Sequence, residues 1–309
     1  MIKFTMAISI AVMSTVQASA PKVIYGIDNR LDIKDVSNQE LFKAAKSVAG
    51  MVSKYSYSAK KIAGINTISF TDVALLSDSW GGDVCRDEKF ANQPTVAACS
   101  GFFIGEDKLV TAGHCLLDGD GEIKDGMNEN CKGNDWIFDY QINKGESKAK
   151  MKLIDAKSVY SCKKIIIAKL GRDDDFAIIQ LDRKVEGIEA LSLRSEGKIE
   201  VGTDLAVIGH PSGLPKKVAD GAKVLKTVKK EYFVTSLDTF GGNSGSPVFN
   251  MDTMEVEGIL VRGKTDYVYT NQSCQRVNIC SSDGLSCLEN DEAPEGEEVS
   301  VITEINSYL

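Results

Sequence analysis

One serine and one histidine are the residues in this chain best suited to chemistry. Ser244 lies in the run TFGGNSGSP (residues 239–247), and His114 lies 130 residues earlier in the run TAGHC. A serine hydroxyl is a weak nucleophile at neutral pH, and it becomes reactive when an imidazole accepts its proton during attack. The sequence holds only two histidines, so few residues could act as that base. The pair predicts nucleophilic catalysis by a serine.

The order of these residues along the chain narrows the kind of site. In α/β-hydrolases the catalytic histidine follows the serine, whereas His114 and His210 both precede Ser244. The G-x-S-x-G pattern also fails, because Ser246 stands where its second glycine should be. The order histidine, aspartate, serine therefore predicts an acid between residues 114 and 244. His210 lies in a Pro-Gly turn, and we interpret it as structural or groove-lining.

An acidic turn that runs into an apolar strand supplies the acid. The run DDDFAIIQL covers residues 173–181, and Asp175 is its last carboxylate before the strand. A buried carboxylate needs hydrogen-bond donors, and an imidazole N–H is a suitable one. We expect Asp175 to orient His114 and to stabilise its imidazolium form. Asp173 or Asp174 takes this role if the strand is shifted by one or two residues.

The glycine before the serine indicates a close approach of the backbone to a substrate. Gly242 can adopt dihedral angles that other residues avoid. We predict that the N–H groups of Gly242 and Ser244 form an oxyanion hole, which stabilises the charge on the attacked carbonyl. Without the other two motifs, GNSG would more simply be a turn.

The elements that position these residues are predicted to be short strands. Helical signals are sparse, and the clearest covers residues 40–49. Most of the remaining chain consists of short apolar runs, such as Leu205–Gly209, separated by Gly, Asp, Asn and Lys. Cys99 and Cys115 bracket two such runs around a polar turn at residues 105–108. This pattern is typical of antiparallel strands and predicts barrels or sandwiches.

The motifs TAGHC, DFAIIQL and GGNSGSP, in this order, resemble the trypsin/chymotrypsin superfamily of serine endopeptidases. The form GNSGSPVFN is most similar to its bacterial glutamyl-endopeptidase branch. Residues 23–30 are similar to the mature amino terminus of that branch, residues 258–263 to the strand that lines the substrate groove, and residues 301–305 to the last strand before a C-terminal helix. The resemblance covers nearly everything after residue 20.

The resemblance implies an all-β fold with two six-stranded antiparallel barrels, an active site between them and a short C-terminal helix. It also implies that the end of the segment at residues 40–49, which has a helical signal, is a strand. A polar, glycine-bearing stretch at residues 184–200 is the expected join between the barrels. The predicted divisions are a signal peptide at 1–20, an N-terminal extension and first barrel at 21–190, and a second barrel at 191–309.

Substrate preference follows from the same resemblance. Asp238 lies six residues before Ser244, where the trypsin branch has the floor of its specificity pocket, and a carboxylate there selects Arg or Lys. A carboxylate that caps a turn is the alternative. Leu260 replaces the histidine of the glutamyl-specific branch, which argues against a glutamate preference. The groove residues are expected to be Val261, Arg262 and Gly263, with Arg262 favouring acidic groups further along the substrate.

Activation is expected to differ from that of trypsin. In the trypsin branch the new amino terminus pairs with an aspartate just before the nucleophile, whereas Asn243 stands at that position here and cannot form an ion pair. The resemblance implies Val23 as the mature start. Residues 31–84 are longer than the corresponding stretch in compact members of the superfamily.

The eight cysteines suit disulfide bonds in an oxidising compartment. The superfamily has a disulfide at the place and spacing of Cys99 and Cys115, and we also predict a Cys131–Cys162 bond. The chain has no C-x-x-C spacing, so a zinc site is not predicted. Three pairings stay open for the remaining cysteines, which are Cys85, Cys274, Cys280 and Cys287.

The beginning of the sequence predicts export. Lys3 precedes an apolar or small-residue stretch at residues 4–16, and Ala18-Ser19-Ala20 offers a cleavage site after Ala20 or after Ala18. Thirteen such residues are too few to span a bilayer comfortably. We therefore expect a secreted or periplasmic protein without membrane insertion after leader cleavage.

The charge of the 309-residue chain argues against nucleic acid as a partner. The formal net charge is −8 and the pI is about 5.0, and phosphate backbones attract basic surfaces. The acidic loop at residues 118–122 invites calcium, but Ile123 stands where the EF-hand pattern needs glycine, so a solvated turn is favoured. The acidic run at residues 289–298 is interpreted as a solvated face.

These features together predict a secreted, monomeric serine endopeptidase that acts on polypeptides through an acyl-enzyme and without a cofactor. The alternative is a non-catalytic binding module on the same scaffold. Such modules usually lack a member of the catalytic triad, whereas this chain has all three candidates and the oxyanion glycine.

Overall fold

The computed structural model describes residues 23–71, 73–78, 84–117, 123–145, 153–171, 174–228, 230–269, 273–282, 287–288 and 296–309. The predicted signal peptide, Asp173, the acidic loop at 118–122 and residues 289–295 of the acidic run lie outside them. None of the helices in these ranges is long and apolar enough to cross a membrane.

Six antiparallel strands close the first barrel in the order β5-β6-β3-β2-β1-β4. Strand β6 is buried on both faces along most of its length, as its nearly continuous apolar run predicts. It pairs with β5 on one side and with β3 on the other. The strands are β1 Val48–Ser53, β2 Ala97–Gly105, β3 Lys108–Thr111, β4 Asn134–Ile137, β5 Val159–Leu170 and β6 Asp175–Leu181.

The second barrel also has six antiparallel strands, in the order β7-β10-β11-β12-β9-β8, and β8 pairs with β7 to close it. The all-β prediction of two six-stranded barrels is therefore confirmed. The strands are β7 Asp204–Gly209, β8 Lys217–Thr227, β9 Tyr232–Thr235, β10 Pro247–Asn250, β11 Val256–Arg262 and β12 Glu297–Val301.

The helices are short. The helical signal at residues 40–49 forms α1, Gln39–Ala44, whose first N–H groups are capped by Asn38, and the chain enters β1 at Val48. The other α-helices are α2 His114–Leu117 and α3 Glu129–Gly133. Within the described ranges, the 3₁₀ helices are Ile33–Asp35, Ala45–Ser47, Lys54–Ser56, Leu76–Asp78, Ala156–Ser158, Pro211–Gly213 and Ile302–Tyr308.

Several short strands lie outside the barrels. Tyr57–Ile62, Ile65–Phe70 and Leu153–Asp155 form a three-stranded sheet, which accounts for part of the long stretch after residue 31. Tyr267–Tyr269 pairs with Gln275–Val277.

The amino-terminal segment, residues 23–32, packs on the second half of the chain. Ile24–Tyr25 pairs in parallel with Ile279–Cys280, and Leu31–Asp32 pairs with the start of β8. Segment 302–309, which follows the last strand of the second barrel, packs on the first barrel. Its Tyr308 ring lies 5.9 Å from that of Phe176 in the first barrel, and Lys108 Nζ donates to Leu309 O at 2.8 Å.

Apolar packing and one buried lysine join the barrels. The core of the first barrel, around Phe102 and Phe176, continues into Ile208 and Phe249 of the second. Lys216, just before β8, is buried, and its ammonium donates to three oxygens of the first half: Ala45 O, Phe138 O and Gln141 Oε1. Packing of this kind fixes the cleft in which a site built from both barrels must lie.

The structure contains four disulfide bonds. Cys99–Cys115 and Cys131–Cys162 are the two that the sequence analysis predicted. The other four cysteines pair as Cys85–Cys274 and Cys280–Cys287. The division of domains at residue 190 stays a prediction.

Candidate active site

His114 is placed by a tight turn between β3 and α2. Its neighbour Cys115 is bonded to Cys99 on β2. A Cβ on Gly113 would overlap the carbonyl oxygen of Lys169, so only glycine lets the chain pass β5 this closely. These constraints hold the histidine at the end of the first barrel.

Asp175 begins β6 and binds His114 through both of its oxygens. Its carboxylate is buried, and Oδ1 accepts from the His114 backbone N–H at 3.0 Å. Oδ2 lies 2.9 Å from His114 Nδ1. This contact favours the tautomer that carries its proton on Nδ1, which leaves Nε2 free to accept one. Asp174, by contrast, lies 3.7 Å from Lys169 Nζ and is partly exposed.

Ser244 lies in a loop that is tied to both barrels. Its carbonyl oxygen accepts from Ser100 N on β2 at 2.8 Å, and the next residue, Gly245, donates to Leu260 O on β11 at 2.8 Å. The serine is buried, with 8% of its surface exposed. The loop is therefore fixed on the side that faces the first barrel.

His114 and Ser244 line the same pocket of about 480 Å³, together with Met51, Cys115 and Asn134. Within the described ranges, no hydrogen bond joins the Ser244 hydroxyl to the imidazole. Such bonds are often long in the absence of substrate and tighten in its complex. A larger cavity of about 790 Å³ lies on the first barrel near Arg183, and none of the three predicted catalytic residues lines it.

The backbone around Ser244 presents two N–H groups. Gly242 has a φ of +92°, and a Cβ at this position would lie 2.5 Å from His210 O. Among the residues that the structure describes, none accepts a hydrogen bond from Gly242 N or Ser244 N. Both groups are thus available to an oxygen bound in front of the serine.

His210 lies in the interior, outside the pocket that contains His114. Its Nδ1 is 3.0 Å from Leu214 O, and its ring stacks on Tyr140 with 5.5 Å between centroids. The other ring nitrogen, Nε2, has no hydrogen-bond partner in the described structure. Burial, with a smaller contribution from Lys216, lowers the pKa of His210 to about 3. The imidazole is therefore neutral at physiological pH.

Asp238 binds the backbone of the amino-terminal segment. Oδ1 accepts from Tyr25 N at 2.8 Å, and Oδ2 accepts from Asn29 N at 2.9 Å. Burial raises the pKa of Asp238 to about 6, although these two hydrogen bonds act in the opposite direction. Both oxygens of the predicted pocket floor thus have backbone partners.

The expected groove residues lie at the end of β11 beside β12. Val261 is buried, Arg262 Nε lies 3.1 Å from Glu298 Oε2, and Gly263 follows the strand. Arg262 is therefore paired with a carboxylate on the neighbouring strand.

Glu297 is a buried carboxylate that the sequence analysis missed. The interpretation of residues 289–298 as a solvated face is wrong for this side chain, which is completely buried. Its carboxylate accepts from Thr239 Oγ1, from Lys264 N at 3.2 Å and from Tyr25 OH at 3.5 Å. An acidic run carries no signal that singles out one buried member, because burial here depends on the pairing of this residue with Thr235 of β9.

Cys99, His114 and Cys115 come close enough to suggest a metal site. The two sulfurs are bonded to each other, however, and metal binding by cysteine requires thiolates. The cluster is therefore a disulfide bond beside an imidazole.

A model of the trypsin-like peptidase domain matches residues 99–259. No curated protein sequence matches the chain significantly. Among solved structures, a Glu endopeptidase is 15% identical, with 92% of this chain and 96% of that chain covered and a TM-score of 0.48. The VesB protease of Vibrio cholerae is 13% identical, with 90% and 66% covered and a TM-score of 0.48. The Rv3671c protease of M. tuberculosis is 13% identical, with 88% and 83% covered and a TM-score of 0.45.

Proposed function

Because this chain belongs to the family of trypsin-like peptidases, we propose that it is a secreted serine endopeptidase whose catalytic residues are His114, Asp175 and Ser244. The observation that carries the proposal is the contact of Asp175 with the backbone N–H and the ring Nδ1 of His114, at the edge of a pocket that Ser244 also lines. A carboxylate, an imidazole and a hydroxyl in this sequence are the groups that activated-serine chemistry needs.

In the proposed reaction, the Ser244 hydroxyl attacks the carbonyl carbon of a peptide bond while His114 Nε2 takes its proton. The imidazolium that forms is stabilised by the buried carboxylate of Asp175. The proton then passes to the leaving amine as the C–N bond breaks, which leaves an ester between Ser244 and the substrate. Water, deprotonated by His114, hydrolyses this ester and restores the hydroxyl.

The N–H groups of Gly242 and Ser244 support the proposal from the backbone. The charge that develops on the substrate oxygen needs donors that are already in place and have no other acceptor. Each such donor contributes about 3–4 kcal/mol to the stability of the transition state. The glycine at 242 permits the backbone conformation that presents the first of them.

Polypeptides are the proposed substrates, with cleavage after basic residues. Support for a basic preference comes from two buried carboxylates, Asp238 and Glu297, near the nucleophile loop and the groove strand. The substrate-binding roles of Asp238, Val261, Arg262 and Gly263 belong to this proposal.

Secretion or periplasmic residence is the proposed location. Four disulfide bonds are consistent with an oxidising compartment. The predicted leader at residues 1–20 is the means of export in this proposal.

A fluorophosphonate probe, which reacts only with activated serines, tests the function. The exported protein is labelled, digested and mapped by mass spectrometry. We expect a single label on Ser244, and we expect none after Ser244→Ala or His114→Ala. Ser246→Ala, two residues away, is the matched control and keeps the label. Failure to label, or a label elsewhere, would reject the proposed function and favour a non-catalytic binding module.

A further inference from the structure

The pocket that contains His114 and Ser244 has a polar wall that the proposed reaction does not use. Asn130 lies in α3 and Asn134 directly follows it, and both residues line the pocket. Apart from the proposed catalytic pair, they are the only described lining residues whose side chains carry a nitrogen or an oxygen. The other lining residues that the structure describes are Met51, Ala98 and the bonded Cys99 and Cys115.

The nitrogen of each carboxamide already has an acceptor. Asn130 Nδ2 donates to Leu116 O at 3.1 Å, and Asn134 Nδ2 donates to Asn130 O at 2.8 Å. A backbone carbonyl can only accept, so each contact fixes which end of the carboxamide is the nitrogen. Among the residues that the structure describes, none donates to either Oδ1. Two hydrogen-bond acceptors are therefore left over in the wall of the pocket.

The helix that carries Asn130 is held against the helix that begins at His114. Asn128 caps α3 by accepting from Cys131 N at 2.9 Å, and its Nδ2 donates to Leu116 O of α2 at 2.6 Å. The Cys131–Cys162 bond ties the same helix to β5. The two leftover acceptors are thus fixed relative to the imidazole, and a fixed site loses less entropy when it binds a ligand.

The position of this wall assigns it to one side of the cleaved bond. In the proposed reaction His114 gives a proton to the leaving amine, so the residue after the cut must pass beside the imidazole. Residues before the cut are expected to follow the strand at 261–263, and none of these three lines the pocket. Of the lining residues that the structure describes, Ser244 alone comes from the second half of the chain. The pocket therefore faces the leaving side of the substrate.

Two carboxamide oxygens favour one class of side chain over another. An oxygen acceptor binds N–H and O–H groups, and a cationic donor forms the stronger hydrogen bond. A carboxylate offers only acceptors and is repelled. Within the described lining, no lysine or arginine compensates that repulsion.

We propose that Asn130 and Asn134 determine which residue is accepted immediately after the cleaved bond, and that they select side chains with N–H donors, arginine above all, over carboxylates. The inference rests on the proposed peptidase function and names the class of the leaving residue. It is independent of the preference for the residue before the cut.

Acyl transfer measures this selection without cleaving a peptide bond. The acyl donor is a peptide thiobenzyl ester ending in Arg, Lys, Glu or Phe, whichever wild type hydrolyses fastest, and it forms the ester on Ser244. The amine of an added amino acid amide attacks the acyl carbon in place of water. The bond from that carbon to Ser244 Oγ breaks, and the proton lost by the amine returns to Oγ through His114. Mass spectrometry then gives the ratio of transferred to hydrolysed product.

The added amides are those of arginine, glutamine and leucine and the α-amide of glutamate. Glutamine and glutamate have nearly the same shape, so their comparison isolates the N–H donor from the carboxylate. Wild type is expected to transfer to the arginine amide at least about tenfold better than to the leucine amide, and to the glutamine amide at least about tenfold better than to the glutamate amide.

Asn130→Leu, Asn134→Leu and the double variant keep the size of the side chains and remove the acceptors. The double variant is expected to lower the Arg-to-Leu transfer ratio at least about tenfold. Leu116 O keeps its bond from Asn128 in N130L, so the contact between α2 and α3 survives there. Asn306→Leu is the matched control, because Asn306 Nδ2 also donates to a backbone carbonyl, Ser195 O at 2.7 Å, but Asn306 does not line the pocket. N306L should leave the ratio within about twofold.

Three results would overturn the inference: equal transfer to all four amides by wild type, an unchanged Arg-to-Leu ratio in all three pocket variants, or an equal fall of that ratio in N306L. Each ratio is taken from acyl-enzyme that has formed, so it does not depend on how much of a variant folds. Thioester hydrolysis and fluorophosphonate labelling of Ser244 separate this failure from failure of the proposed function. A wild type that labels and hydrolyses but shows no selection rejects only the asparagines, whereas one that does neither rejects the function and the inference with it.

Discussion

At the scale of single residues, Asp175 does two things for one histidine. One oxygen holds the backbone of His114 and the other holds its ring. The carboxylate consequently fixes both the position of the residue and the tautomer of the imidazole. Asp174, one residue earlier, faces Lys169 at the surface and does neither.

Asp175→Asn is expected to lower kcat by about 10⁴ while the fold is retained. The amide can accept at only one of its two heavy atoms, so His114 loses the partner that fixes its tautomer. Hydrolysis of a peptide amide and a thermal unfolding scan measure the two effects. Asp174→Asn is the matched control and should stay within about twofold of wild type. Near-normal turnover in D175N would move the role to a neighbouring aspartate.

His210 should make stability depend on pH. Its folded pKa is about 3, whereas the ordinary value is 6.5. Between these values the unfolded chain binds more protons than the folded chain, so the free energy of unfolding falls as pH drops, by up to about 1.4 kcal/mol per pH unit. His210→Phe keeps a ring beside Tyr140 and should remove this slope, as measured by urea unfolding at pH 4, 5, 6 and 7.

Asp238 provides the internal reference for this measurement. Its pKa is raised from 3.8 to about 6, so its contribution falls in the opposite direction, as pH rises through that window. Wild type and H210F share this contribution, and the difference between their slopes isolates the histidine. Parallel slopes for the two proteins would contradict a neutral, buried His210.

The burial of Glu297 was missed from the sequence for a physical reason. His114, Asp175 and Ser244 stand in motifs whose local chemistry predicts a role before any coordinates are known. Glu297 stands in an acidic run, and its burial goes with its place at the start of β12, opposite Thr235 of β9. Long-range pairing of this kind leaves no local pattern.

At the scale of elements, the conformation of the loop from Phe240 to Pro247 determines whether the N–H groups of Gly242 and Ser244 can form the proposed oxyanion hole. Gly242 takes a positive φ close to the carbonyl oxygen of His210, and Ser100 Oγ donates to the carbonyl oxygen of Gly242 at 2.8 Å. The conformation of the loop is thus held from the second barrel on one side and from β2 on the other.

Gly242→Ala is expected to lower kcat by about 10²–10³ with little change in KM. The new Cβ meets His210 O at 2.5 Å and must push the oxyanion N–H out of position. Gly64→Ala is the matched control, because Gly64 also has a positive φ, +86°, but a Cβ there meets nothing within 4 Å. Equal losses of activity in both variants would show that backbone strain alone, and not the oxyanion hole, explains the effect.

The elements themselves were predictable to different degrees. The apolar runs of β6 and β7 predict strands directly, and the signal at residues 40–49 correctly marks α1 and its change into β1. The two-residue strands Ile24–Tyr25 and Leu31–Asp32 are too short to show any period. Their pairing partners, at residues 279–280 and 217–218, could be learned only from the fold.

At the scale of the whole molecule, the disulfide bonds differ in the length of chain that they close. Cys85–Cys274 spans 189 residues and joins the stretch before β2 to the stretch after β11, whereas Cys280–Cys287 spans only 7. The even number of cysteines predicts disulfides, but nothing in their spacing predicts a bond that encloses most of both barrels.

Replacing Cys85 and Cys274 with serine should therefore cost more stability than replacing Cys280 and Cys287. The chain-entropy argument gives about 5 kcal/mol for the long loop and about 2 kcal/mol for the short one. Guanidinium unfolding of the two double variants, under non-reducing conditions, measures the difference. A larger loss for the short loop would mean that the bonded Cys280 and Cys287 stabilise the folded state by their contacts with Val23 and Tyr25.

The pairing of the amino-terminal segment with the second half of the chain has a consequence for biogenesis. Pairing of residues 24–32 is complete only when residues 279–280, about 250 residues later in the sequence, are present as well as residues 217–218. At a synthesis rate of about 5–20 residues per second, that interval is on the order of 12–50 s. During that interval residues 24–32 of a nascent chain have no strand to pair with, and gene fragments encoding either half should yield insoluble product.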